Sequence, residues 1–147
     1  MLKAKEIKIF IIEDDFVFIE ILVNLLEIVS SEMSENNVLV SYKTFYSTKE
    51  ASFELSQNPD IVLLDYFLID DELKADTGTQ LLHHIKEYKP DIDVVVISGQ
   101  ESPKVKEELL QKGAAYYLAK DQESIKKIKP LLINLINKRI DKINTLS

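Results

Sequence analysis

The sequence predicts an α/β fold, a doubly wound sheet of five parallel strands. Short apolar, β-branched runs alternate five times with helical patterns. Most of these runs lack polar alternation, as strands buried on both faces of a parallel sheet should. The intervening helices supply the crossovers that parallel neighbours require.

Strands are expected at Lys8–Ile12, Val38–Tyr42, Ile61–Leu64, Val94–Ile97 and Ala115–Ala119. In the first helix Glu20, Asn24, Glu27 and Ser31 recur at helical spacing, one polar stripe on an otherwise apolar surface. Ser47-Thr48-Lys49-Glu50 reads as a capping box opening a second helix, which Asn58-Pro59 closes. Thr77-Gly78-Thr79-Gln80 starts a third, with Leu81, Leu82, Ile85 and Tyr88 apolar and Pro90 beyond its end. Ser102-Pro103 puts proline at the first helical position of a fourth, and Gly113 follows as its cap. The last helix runs from about Ser124 to Ile143, burying Ile125, Ile128, Leu132, Leu135, Ile136, Ile140 and Ile143. Pro130 is expected to kink it or delay its start.

The 147 residues fit one domain, residues 1–147 with a core of about 6–144. A chain of this size needs no metal or disulfide staple to fold. The absence of cysteine excludes a disulfide framework, a Cys-ligated zinc site and a cysteine nucleophile. A net charge of −7 argues against direct binding of nucleic acid, which needs a basic surface. Met1–Lys8 is charged and the apolar run that follows stops at Glu13, so no secretory signal is read. Phe16–Val29 carries Glu20, Asn24 and Glu27 and is not a membrane span. A cytoplasmic protein without membrane contact is expected.

In an open α/β sheet, ligands bind beyond the carboxyl ends of the strands. There the sequence places Glu13-Asp14-Asp15 after strand one, Asp65 after strand three, Ser98-Gly99-Gln100 after strand four and Lys120 after strand five. Carboxylates crowded on one rim raise one another's pKa, and a hard divalent cation relieves this. Magnesium suits such oxygen ligands. Asp14 and Asp65 would hold it, with Glu13 or Asp15 acting through water. Ser98 can donate to an oxyanion, and Lys120 supplies a fixed positive charge. No residue of the set is an obvious base to activate water. The combination therefore favours a carboxylate that receives and keeps a phosphoryl group.

These pieces resemble a response-regulator receiver domain, the phospho-accepting module of two-component signalling. The resemblance rests on I-F-I-I-E-D-D (Ile9–Asp15), I-V-L-L-D (Ile61–Asp65), Gly78, V-V-I-S-G (Val95–Gly99) and G-A-A-Y-Y-L-A-K (Gly113–Lys120), in order along nearly the whole chain. It implies a flavodoxin-like (βα)5 fold with strand order 2-1-3-4-5. Asp65 would be the phosphoacceptor, with Ser98 and Lys120 contacting the phosphoryl group. Glu13, Asp14, Asp65 and the backbone carbonyl of Phe67 would bind Mg2+, for which Mn2+ can substitute. Tyr117 and Ser98 would form the switch, and Gly99 would leave room for the phosphoryl group.

The implied donor is a histidine kinase or a histidine phosphotransfer protein. The implied recipient of the signal is a downstream protein target or output domain, reached through the face of helix four, strand five and helix five, where homodimers can also form. The resemblance implies no enzyme beyond weak magnesium-dependent self-phosphorylation and autodephosphorylation. The chain could stand alone or belong to a longer regulator.

Two departures stand out. Asp121 replaces the family's usual proline after the lysine, so a trans bond and a rearranged loop are expected. The stretch Tyr66–Asp76 is longer than usual and carries Asp70, Asp71, Glu72 and Asp76, read as a solvated acidic loop. Phe67 and Gln100 stand where the family tunes the phosphate's lifetime. His83 and His84 point about 100° apart on a helix and cannot chelate together; they are read as surface residues.

The main alternative is a phosphorylation-independent receiver-like interaction module. A haloacid-dehalogenase-type phosphohydrolase would need an aspartate where Phe67 stands. Flavin binding is disfavoured because no Ser/Thr/Gly-rich phosphate loop follows strand one.

Overall fold

The computed structural model describes residues 4–66, 78–99 and 102–146. Its strands are β1 (Lys5–Ile12), β2 (Val38–Phe45), β3 (Ile61–Asp65), β4 (Asp93–Ser98) and β5 (Tyr116–Ala119). They form one parallel sheet in the order β2-β1-β3-β4-β5. The helices are α1 (Phe16–Ser34), α2 (Thr48–Phe53), α3 (Gly78–Tyr88), α4 (Pro103–Gln111) and α5 (Gln122–Leu146). This is the doubly wound arrangement that the alternation predicts, in the flavodoxin-like strand order that the resemblance implies.

Period-two alternation sorts the strand residues into two cores. Ile7, Ile9, Ile11, Leu63, Val95 and Ile97 meet α1 and α5, through Leu22, Leu26, Leu132 and Ile136. Phe10, Ile12, Val62, Leu64, Val94 and Val96 meet the opposite layer, with Ala51, Leu82, Ile85 and Leu109. The polar stripe Glu20, Asn24, Glu27 and Ser31 of α1 faces solvent, as its spacing predicts.

Several expectations are revised. β1 and β2 are longer than their apolar runs, because they pair over eight residues from Lys5↔Val38 to Ile12↔Phe45. β5 is one residue shorter, beginning at Tyr116. Ser47 caps α2 as expected, but the helix ends at Phe53. A 3₁₀ turn at Leu55–Gln57 follows, and Asn58 closes it in the left-handed region at φ 58°. α5 starts at Gln122 and continues through Pro130 to Leu146, so there is no late start. Ile143 is exposed rather than buried, and so is Tyr88 of α3. The inward place near the end of α5 belongs to Arg139 instead.

Gly113 has φ 107°, where a side chain would be strained, and a Cβ there would lie 3.2 Å from the Lys86 stem. Among the described residues, no helix is long and apolar enough to cross a membrane.

Candidate functional site

The alternation that builds the core against α1 and α5 also builds the site. Ile11, Leu63 and Leu118 belong to that layer. Two residues beyond these come Glu13, Asp65 and Lys120, so the three candidate side chains leave the sheet on the same face. Register supports this, since Ile12 pairs with Leu64 and Asp65 with Ile97.

Glu13, Asp14 and Asp65 each offer a carboxylate oxygen, all within 4.8 Å of one another. Glu13 and Asp65 are buried and Asp14 is exposed. Lys120 reaches into this cup, its Nζ 2.5 Å from Glu13 Oε1 and 3.6 Å from Asp65 Oδ2. The other oxygen of Glu13 accepts the backbone N–H groups of Asp14 (3.0 Å) and Asp15 (3.3 Å). Among the described residues, three carboxylates thus gather beside one ammonium, leaving an excess of negative charge.

The electrostatics follow. Burial, then the neighbouring Asp65, pushes the Glu13 carboxyl up to about 7, against the opposing pull of Lys120. Burial pushes the Lys120 pKa down, but the hydrogen bond with Glu13 and the charges of Asp65, Glu13 and Asp15 outweigh it, and the net direction is up. The ammonium stays charged near neutral pH.

The acidic triplet divides its labour. Asp15 is the N-cap of α1, accepting from Val17 N at 3.0 Å and Phe18 N at 3.4 Å. Its carboxylate serves the helix, which leaves Glu13 and Asp14 to the cup.

Ser98 ends β4 fully buried, and its carbonyl accepts from Lys120 N at 2.8 Å, tying the two strand ends together. Gly99 follows; a Cβ there would meet nothing within 4 Å, so the space beside it is open. Tyr117 is buried among α4 and β4 residues and lines a cleft of about 270 Å³ shared by α4, β5 and α5.

The Lys120–Asp121 peptide is trans, as expected. Asp121 Oδ1 accepts from Ser124 N at 2.7 Å in the first turn of α5, and that bond lowers the Asp121 pKa. His83 is exposed and lies 3.0 Å from Glu87 on its own helix, while His84 lines a separate groove beside α2. Phe67, Gln100 and the acidic residues Asp70, Asp71, Glu72 and Asp76 lie outside the described residues.

Two features escape the sequence reading. Phe18 of α1 places its ring 4.7 Å from Lys120 Nζ; its helical position signalled only core. Arg139, the chain's one arginine, is buried against Asp60 and Asp91 at the far end of the sheet. The lysine-rich composition of α5 hides it.

The family model described as the response regulator receiver domain matches residues 9–129. Among solved structures, a receiver domain protein from Clostridium thermocellum is similar at 23% identity and TM-score 0.72, over 90% of this chain and 96% of that one. A CheY-like receiver domain protein from Methanospirillum hungatei aligns at 19% identity and TM-score 0.68, covering 95% and 99%. The signal receiver domain of a DNA-binding response regulator from Colwellia psychrerythraea shows 25% identity and TM-score 0.68, covering 86% and 98%. No curated protein matches the sequence.

Proposed function

Since the chain belongs to the response regulator receiver domain family of two-component signalling, we propose that its acidic cup transfers a phosphoryl group onto Asp65. Receiver domains interact with histidine kinases and output domains and are signalling modules rather than classical enzymes. The observation that carries the finer reading is a charge imbalance among the described residues: Glu13, Asp14 and Asp65 gather beside one ammonium, Lys120.

The donor would be the phosphohistidine of a kinase or phosphotransfer protein. An Asp65 carboxylate oxygen forms the new O–P bond as the N–P bond breaks, and the leaving imidazole takes up a proton. Acetyl phosphate can replace this donor, with acetate leaving. Catalysis is then positioning and charge neutralisation. Lys120 offsets charge on the phosphoryl oxygens, Ser98 donates a hydrogen bond to one of them, and the open space beside Gly99 admits the group. The all-oxygen donor set fits Mg2+, with Mn2+ able to substitute. Asp14, Asp65, Glu13 and the Phe67 carbonyl would hold the ion, which supplies Lewis-acid neutralisation when bound.

The phosphoryl group brings about two negative charges. Ser98 would shift toward it and Tyr117 would adjust, biasing the α4–β5–α5 face between two packings. That face would then meet a protein target, an output domain or a second copy of the chain. The proposed setting is a cytoplasmic phosphoprotein in which residues 1–147 form one receiver domain; it does not bind nucleic acid directly and turns over its own phosphate only weakly.

Incubation with acetyl phosphate and Mg2+, followed by intact mass, tests this. One added phosphoryl mass, absent in Asp65→Asn, is expected. Unmodified protein, under conditions that label a control receiver, would replace the proposal with a phosphorylation-independent interaction module.

A further inference from the structure

We propose that Phe18 is a positioning residue for Lys120, its ring seating the ammonium above the carboxylate cup. The proposal rests on the phosphoryl-transfer reading of Asp65 and names a residue that the reading does not require.

Lys120 Nζ stands 4.7 Å from the centroid of the Phe18 ring. The ring is buried and the lysine side chain is 18% exposed, so water screens the pair little. An aromatic face carries the negative end of the ring's quadrupole, and its attraction for a cation grows as water is excluded. The cap of α1 fixes the ring's place. Asp15 accepts the N–H groups of Val17 and Phe18, and this first turn carries Phe16 and Val17 outward and Phe18 inward.

Phe18 also belongs to the core with Leu22 and Ile11, and plain packing is the competing reading. What separates the two is the nature of Lys120's other partners. Glu13 and Asp65 are members of the carboxylate set that could hold a metal ion. A divalent cation in the cup would compete with Lys120 for them. The neutral ring is no ligand for a hard cation and keeps its hold in either state. Phe18 would thus keep the ammonium at the cup when the carboxylates are engaged, acting on the rate of transfer rather than on metal affinity.

The decisive series replaces Phe18 in the full chain with mono-, di- and trifluorinated phenylalanines, which drain the ring face of charge while nearly keeping its shape. At saturating Mg2+, phosphorylation of Asp65 by acetyl phosphate should slow stepwise, by about fivefold at the trifluorinated end. The Mg2+ concentration for half-maximal rate should stay unchanged. A rate that is flat across the series would overturn the proposal and leave Phe18 a packing residue. A second readout needs no phosphorylation. The Lys120 ε-CH2 protons should show an upfield ring-current shift that survives Mg2+ addition and disappears in Phe18→Leu. Loss of that shift on adding Mg2+ would refute the seat. If the unmodified protein takes no phosphoryl group at all, the Asp65 reading falls and this NMR test still decides the role of Phe18.

Discussion

β3 is bracketed by two aspartates, and each meets one long basic side chain from the last third of the protein. Below the strand, Arg139 of α5 donates through Nη2 to the Asp60 carbonyl at 2.9 Å and holds Nε 3.3 Å from Asp60 Oδ1. It also reaches Asp91 at 3.4 Å, while Asp60 Oδ2 accepts the Lys8 N–H at 2.8 Å. Lys138 and Lys142 line the same cleft as Asp91 and Asp93. Acid and base are matched there, and the network ties α5 to the bottom of the sheet. Above the strand, Lys120 meets Asp65, Glu13 and, close by, Asp14. The residue types are alike, but among the described residues the upper set carries surplus negative charge. A balanced network holds elements together; an unbalanced one could hold a further cation.

Removing the base at each end should separate these roles. Arg139→Met strands Asp60 and should cost about 3 kcal/mol of stability, read as a lower urea midpoint. Mg2+ should not restore it, and folded protein should accept phosphoryl groups at the normal rate. Recovery with Mg2+ would erase the distinction between the two ends.

Lys120→Met should slow phosphorylation of Asp65 by about a hundredfold, the scale of losing one donor to a developing oxyanion. Any loss of stability in that variant should be recovered by Mg2+, since the stranded carboxylates are the ion's proposed ligands. A normal rate in this variant would remove Lys120 from the chemistry.

The smallest effect is in pH. The Glu13 carboxyl rises from 4.5 in the unfolded chain to about 7 in the folded, metal-free protein. Between those values the folded state keeps a proton that the unfolded state has released. Glu13's contribution is therefore full below about 4.5 and is lost as pH rises through about 7. In EDTA, the melting temperature should fall by a few degrees between pH 5 and pH 8. Glu13→Gln should flatten that slope, and an equal slope in both proteins would contradict the assignment.

The asymmetry also explains what the sequence made legible. Apolar runs marked every strand, and capping chemistry at Ser47 and at Ser102-Pro103 marked two helix starts. Edge positions such as Lys43 and Thr44 of β2 were missed because a solvent-facing edge needs no apolar residue. The four strand-end residues Glu13, Asp14, Asp65 and Lys120 were readable because a parallel sheet gathers strand ends on one rim. Arg139 and Phe18 were not. Each looks like an ordinary helix residue until the packing of α5 or α1 puts it beside a charge.

On the proposed function, the upper acid set holds a divalent cation where Asp65 accepts a phosphoryl group. Crystals of the protein soaked with Mn2+ and beryllofluoride test it most directly. The expected result is anomalous manganese density between Asp14 and Asp65, with beryllofluoride on Asp65 within reach of Lys120 and Ser98. Manganese bound elsewhere, or an empty cup with Asp65 unmodified, would contradict it.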